Sequence, residues 1–261
     1  MSSRVTRSMC LLALASQPMW AVLGAQAPPS RKSASPTRKV VVATVMEHFT
    51  GTMEARLTRA EAAVEAAAAQ ARAAHGGRLD LVVLPEHAIQ TEKRSREATA
   101  ADKAVPLEGT VLDRMAAAAR RHRTYIVVPL IREQGGVYTN AAALVDRSGR
   151  LVGVYDKVHP TGRTGTDALE NGISPGREFP VFTTDFGKVG LQICWDMSYD
   201  DGFEALATAG AEIVAIPSAS PQTVRPAALA MQHRYWVVTS TPRDNATVFN
   251  PAGQVAAPPH D

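Results

Sequence analysis

Apolar and polar positions change period several times along the chain, and each change predicts an element. Residues 39–45 are a β-branched run, the composition of a strand. Residues 53–74 repeat apolar side chains at helical spacing, with Leu57, Ala60, Val64, Ala67 and Ala71 on one face, and Gly76-Gly77 ends the helix. Residues 79–84 are continuously apolar, as in a strand covered on both faces. A polar stretch at 90–103 leads to a second helix at 108–122, with Val111, Leu112, Met115 and Ala119 turned inward, and then to a buried strand at 125–131. Gly135-Gly136 opens a strand at 137–145, and Asp146-Arg147-Ser148-Gly149 turns it back into 151–155, a hairpin on turn chemistry alone. Residues 161–175 hold Gly, Thr and Pro without a period and predict a long loop carrying Glu170.

Around Asp185-Phe186-Gly187 a further hairpin joins 181–184 to 188–193, where Val189, Leu191 and Ile193 alternate with Gly190 and Gln192. The alternation stops at Cys194, and Asp196, Ser198, Asp200, Asp201 and Gly202 predict a turn into a helix containing Phe203 and Leu206. Strands follow at 212–216, 235–240 and 245–249, with a helix at 225–233 that carries Pro226 in its first turn, and a turn at 250–253. Strands alternating with helices, mixed with hairpins, predict an α/β fold with mixed sheets.

With 261 residues the chain can bury one sizeable core or two small ones. The net charge is only +3, and the basic residues are dispersed apart from clusters at 31–39 and 120–123, the second of which reads as the solvated end of a helix. Nucleic-acid binding calls for a concentrated basic face with aromatic platforms, so no nucleic-acid partner is expected. The first 27 residues have another character: Arg4 and Arg7 precede apolar runs at 9–14 and 19–23, and Ala25-Gln26-Ala27 follows. A basic start, an apolar middle and a small-x-small site predict a signal peptide at 1–27. Gln17 and Pro18 break the apolar part, which is too short for a membrane span. A Pro-, Ser- and basic-rich linker at 28–38 then leads to a domain at 39–261. Export to the periplasm or the medium is expected if the leader is cleaved, and a cytoplasmic location otherwise. Cys10 lies in the leader, so the mature chain keeps Cys194 alone and forms no internal disulfide.

Three reactive side chains fall at strand ends: Glu86, Lys157 and Cys194. A thiol at a strand end before a helix is placed where backbone N–H groups stabilise a thiolate or an oxyanion; the alternative is a buried structural cysteine. A carboxylate can take the thiol proton, and a lysine can hold charge where a substrate oxygen becomes negative.

In Leu81-Val-Val-Leu-Pro-Glu86, Tyr155-Asp-Lys157-Val-His-Pro160 and Val189-Gly-Leu-Gln-Ile-Cys194-Trp-Asp196, occurring in that order, the chain resembles the nitrilase, or carbon–nitrogen hydrolase, superfamily. Weaker echoes are Asn171-Gly-Ile-Ser-Pro-Gly176, Gly210-Ala-Glu-Ile-Val-Ala-Ile-Pro-Ser218 and Tyr235-Trp-Val-Val-Thr-Ser240. The resemblance implies a four-layer αββα sandwich with two mixed β-sheets and a Glu-Lys-Cys triad. It makes Glu86 the general base, Cys194 the nucleophile and Lys157 the stabiliser of the tetrahedral intermediate. Glu170 then matches a second glutamate that supports the lysine, and the Trp195 N–H completes an oxyanion hole. The implied reaction is hydrolysis of a small linear amide or carbamoyl compound through a thioester, with no metal or organic cofactor, and the family's assemblies point to a homodimer or higher homo-oligomer. A nitrilase acting on small nitriles is a second reading, and a non-catalytic binding or scaffold protein that retains the fold is a third. Two departures from the family pattern stand out: Asp196-Met-Ser-Tyr-Asp-Asp201 replaces the Asp-x-Arg-Phe-Pro-Glu of many family amidases, and the chain stops soon after Gly253, where the family adds a strand and a tail.

Overall fold

Val42–Thr44 (β1) opens a sheet that the continuous apolar runs complete. The structure, a computed structural model, describes residues 38–91, 98–162 and 169–257; the expected leader and all but the last residue of the expected linker lie outside the described residues. After β1 comes the helix Met53–His75 (α1), whose Thr52 side chain accepts from the Ala55 N–H and whose Gly76 takes the left-handed conformation that closes it. Leu81–Val83 (β2) pairs in parallel with β1, and a short helix, Ala100–Lys103 (α2), precedes Thr110–His122 (α3). Tyr125–Gln134 (β3) is parallel to β2, while Val137–Val145 (β4) and Leu151–Asp156 (β5) fold back antiparallel. Among the described residues this sheet has the order β1-β2-β3-β4-β5.

The second sheet begins with Val181–Thr184 (β6) and Gly187–Leu191 (β7), an antiparallel pair. A 3₁₀ helix at Cys194–Ser198 and the helix Asp201–Thr208 (α4) lead to Ile213–Pro217 (β8), parallel to β7. Val224–His233 (α5) then crosses to Trp236–Ser240 (β9), parallel to β8, and Val248–Phe249 (β10) and Val255–Ala257 (β11) complete the order β11-β10-β9-β8-β7-β6. Both sheets are mixed, as expected.

Alternation within the strands sorts their side chains into three apolar layers. Val82 and Leu84 face α1 and α3 together with Leu57, Val64 and Met115. Leu81 and Val83, one position away, meet Val189, Leu191, Ile213 and Val238 of the other sheet. Val214, Ile216 and Val237 turn outward onto Phe203 and Leu206 of α4 and Leu229 of α5. Helix, sheet, sheet, helix is therefore the layer order: an αββα sandwich in which two sheets share a central core.

The structure departs from the expected elements in four places. Residues 194–198, expected as a turn, form the 3₁₀ helix, closed by the Asp196 side chain. The polar stretch 90–103 contains α2, because Thr99 and Asp102 form a reciprocal cap. The strand expected at 245–249 shrinks to β10 because Asp244 and Asn245 adopt positive φ, 49° and 54°. Finally, a strand does follow Gly253: β11 pairs antiparallel with β10 across the turn at 250–253.

Candidate active site

The carboxyl ends of β2, β5, β7 and β8 converge at one end of the sandwich, and each delivers one component. Glu86 follows β2, Lys157 follows β5, Cys194 follows β7, and Ser218-Ala219 follow β8. Glu86, Lys157, Glu170 and Cys194 all line a single cavity of about 270 Å3, together with His87, Lys103, Ile131, Ile173 and Ala219. All four expected side chains are thus brought together.

Lys157 is almost fully buried, and its Nζ lies 3.1 Å from Glu86 Oε1 and 2.5 Å from Glu170 Oε1. The same two carboxylates share the side-chain amide of Asn140 in β4, whose Nδ2 donates to Glu86 Oε1 at 2.8 Å and to Glu170 Oε2 at 3.0 Å. The backbone completes the set: Ala219 N–H donates to Glu86 Oε2 at 2.7 Å, and Thr161 N–H to Glu170 Oε1 at 3.0 Å. Burial alone would push the Glu86 carboxyl up, but the Lys157 charge, His87 and the Asn140 hydrogen bond outweigh it and hold Glu86 well below the usual carboxylate range. Burial likewise opposes the Lys157 charge, and the neighbouring Glu86 and Glu170 carboxylates hold it protonated.

Cys194 is different. Burial and the Glu86 charge push its thiol up to about 11, against the opposing pull of Lys157, the Ser218 side chain and the Ala219 N–H. At neutral pH the resting site therefore holds a protonated thiol beside an ionised carboxylate and an ammonium. Such a thiol becomes nucleophilic only as its proton leaves, and Glu86 is an ionised carboxylate in the same cavity.

The thiol is aimed by a tight elbow. Cys194 has φ of 45°, a left-handed conformation that costs energy for a residue with a Cβ. Asp196, buried in the next turn, holds it: its carboxylate accepts from the Ile193 N–H at 2.8 Å, the Tyr155 hydroxyl at 2.7 Å and the His159 N–H at 3.0 Å. Tyr155 and His159 flank Lys157 in sequence, so Asp196 ties the elbow of one sheet to the lysine strand of the other. Trp195 sits in the first turn of the 3₁₀ helix with its side chain exposed, and it is not among the residues that line the cavity.

Sequence reasoning missed Asn140 and gave no role to Asp196, His87 or the Ser218-Ala219 pair. Asn140 carried a signal: it is the polar residue at the head of the apolar run Asn140-Ala-Ala-Ala-Leu-Val145, a position that goes polar only with buried partners. Glu86, His87 and Glu170 also bring possible metal ligands within 4.8 Å of one another, but the Lys157 ammonium already lies between the two carboxylates as their counter-ion. Among the described residues no helix is long and apolar enough to cross a membrane.

Comparison with known proteins bears on the family and the fold. A bifunctional nitrilase/nitrile hydratase of Lupinus angustifolius is 33% identical over 119 residues, 44% of this chain and 32% of that protein. A deaminated glutathione amidase of Yersinia enterocolitica is 29% identical over 150 residues, 54% of this chain and 52% of that protein. These matches span about a third and about half of the relatives' lengths. For the fold, a Saccharomyces cerevisiae member of branch 10 of the nitrilase superfamily aligns with a TM-score of 0.69 at 22% identity, covering 85% of this chain and 86% of that one. The carbon–nitrogen hydrolase family profile matches residues 39–260, most of the chain, and the chain belongs to that family.

Proposed function

We propose that the protein is an amidase-type hydrolase that cleaves a non-peptide carbon–nitrogen bond of a small linear amide or carbamoyl compound through a Cys194 thioester. The observation that carries this reading is the protonation pattern of the cavity: a thiol that keeps its proton, next to a buried carboxylate that does not. As the Cys194 sulfur adds to the amide carbon, its proton passes to Glu86. The Lys157 ammonium and the Trp195 N–H receive the negative charge that develops on the amide oxygen. Collapse breaks the carbon–nitrogen bond, Glu86 gives its proton to the departing nitrogen, and ammonia or an amine leaves a thioester behind. A water then loses a proton to Glu86 and adds to the thioester carbonyl; the carbon–sulfur bond breaks, the sulfur regains the proton, and the acid departs. Glu170 and Asn140 hold Lys157 and Glu86 in register throughout.

A nitrilase reading is favoured by one observation, the similarity to a relative named as a nitrilase/nitrile hydratase. Ammonia release from amides, carbamoyl amino acids and nitriles, measured on the purified chain, separates the two. We expect release from small amides or carbamoyl compounds and an acyl adduct on Cys194 in quenched samples. Turnover of nitriles alone would favour the second reading, and no turnover of any of them would overturn both.

A further inference from the structure

His87 stands beside Glu86 and takes no part in the steps proposed above. Its Nε2 lies 3.5 Å from Glu86 Oε1 and 3.3 Å from Asn140 Nδ2. The Asn140 amide has two hydrogens, and its shorter contacts with Glu86 Oε1 and Glu170 Oε2 use both. Nε2 is therefore committed to neither neighbour and is free to take a proton from Glu86, across a gap that a small side-chain rotation or a single water closes. Among the described residues the other ring nitrogen has no partner, and the side chain is 34% exposed, so an imidazolium formed here would be hydrated on one side.

The ring also stands at a junction. The cavity of about 270 Å3 that holds Cys194 and a second cavity of about 400 Å3, bordered by Glu47, His48, Gln90 and Arg243, share Glu86, His87 and Ala219 in their walls. His87 thus borders both the space where bonds change and a polar space beside it. Its backbone is held in place at a cost: φ is 62°, the left-handed region that a residue with a Cβ seldom adopts. Arg56, itself buried, clamps this turn, donating from Nη1 to the His87 carbonyl at 3.1 Å and from Nε to the Gly51 carbonyl at 3.0 Å.

Glu86 suits the passage of a proton better than its storage. Lys157, Asn140 and the Ala219 N–H all donate to its carboxylate and favour the ionised form. An imidazole holds a proton more tightly than a carboxylic acid does. We propose that His87 is a second proton carrier of this site, taking the thiol proton from Glu86 at Nε2 and delivering it to the departing nitrogen. The sulfur–carbon bond forms as the S–H proton moves to Glu86. The proton passes on to His87, which leaves an imidazolium beside an ionised carboxylate. The carbon–nitrogen bond then breaks as that proton joins the nitrogen, and the neutral imidazole returns with no proton gained or lost. Glu86 is ionised again in time to activate water. This rests on the amidase reading above and assigns its leaving-group step.

The test compares butyramide with p-nitrophenyl butyrate, which carry the same acyl group. The amide nitrogen cannot depart without a proton, whereas p-nitrophenolate can. His87→Asn and His87→Gly both suit a positive φ, and melting curves check that both fold. In each, kcat/KM for the amide should fall by about 100-fold or more, the scale of a lost general acid, and far less for the ester. Added imidazole should raise the amide rate of His87→Gly, where it finds a vacated gap, and leave that of His87→Asn unchanged. Equal losses on amide and ester would mean that His87 only positions Glu86 and would overturn the relay, as would an unchanged amide rate. Mass spectrometry of the native chain mixed with the ester reads the amidase reading separately. A butyryl adduct on Cys194 keeps that reading whatever becomes of the relay, and its absence would overturn both.

Discussion

Replacing Lys157 by methionine removes an ammonium from between two buried carboxylates and leaves a side chain of similar length. The side chains of Lys157, Glu86 and Glu170 are 1%, 2% and 12% exposed, so water cannot take over the lost interaction. Removing one partner of a buried ion pair costs roughly 3–5 kcal/mol, because the remaining charge stays buried and unpaired. For a domain of this size each kcal/mol lowers Tm by about 2–4 °C, so a drop of roughly 6–20 °C is expected at pH 8. The pH dependence makes the test specific. In the native protein Glu86 lies below its ordinary value of 4.5, so its stabilisation is complete above that pH and is lost as the pH falls through the lower folded value. Lys157→Met removes the largest pull that lowers Glu86 while burial still raises it, so Glu86 is expected to move above the ordinary value. The folded variant then binds a proton that the unfolded chain has released, and its stability rises as the pH falls through the raised value. The difference between the two proteins should be largest near pH 8 and shrink toward pH 5, while turnover stays at least 100-fold down at both. Urea unfolding at the two pH values, with an amide assay alongside, measures this. A loss below about 1 kcal/mol, or one that is equal at both pH values, refutes the electrostatic account of the cluster.

The Cys194 thiol, pushed up to about 11, should be alkylated by iodoacetamide at a rate that climbs about tenfold per pH unit from 7 to 10; a plateau near neutrality would show a standing thiolate instead. Asp196→Ala strands three buried donors and should cost roughly 3 kcal/mol or more along with turnover; a variant of near-native stability, followed by urea unfolding, would mean that the elbow holds itself. Gly176→Ala places a Cβ 2.1 Å from the Asp156 carbonyl, next to Lys157, so it should destabilise by about 1–3 kcal/mol and lower kcat, with an unchanged melting curve counting against that packing. The leader reading is checked by mass spectrometry of protein recovered from the native host: a mature start near Pro28 is expected, and a full-length cytoplasmic chain would remove it.

The α/β class and mixed sheets were readable from strands alternating with helices and hairpins, whereas the four-layer order came from the family resemblance alone. Glu86, Lys157 and Cys194 were readable because each interrupts or follows an apolar run, and polarity there has no packing explanation. Asn140 was harder, because a single amide among alanines looks like a tolerated surface residue until the end of β2 and the loop after β5 each bring a carboxylate to it. Asp196 was visible only as part of a motif, since its partners Tyr155 and His159 lie some 40 positions upstream and no local pattern links them. The elements that moved, the 3₁₀ helix and the shortened β10, did so where single side chains or left-handed residues overrode local propensity.

The bond from Ala219 to Glu86 closes 133 positions of chain, that from Lys157 to Glu86 closes 71, and that from Asn140 to Glu86 closes 54. None of these contacts can form within a hairpin or a single helix: Lys157 and Asn140 meet Glu86 only when the first sheet is assembled, and Ala219 meets it only when the second sheet faces the first. Closing such loops costs entropy before any contact repays it, which places them late in folding. The cluster proposed to be catalytic is therefore a product of the finished sandwich and has no local precursor in the unfolded chain. On the proposed function, a chain emerging from the ribosome carries the thiol without Glu86 or Lys157 beside it, and the cavity is complete only once β7 and β8 face the first sheet.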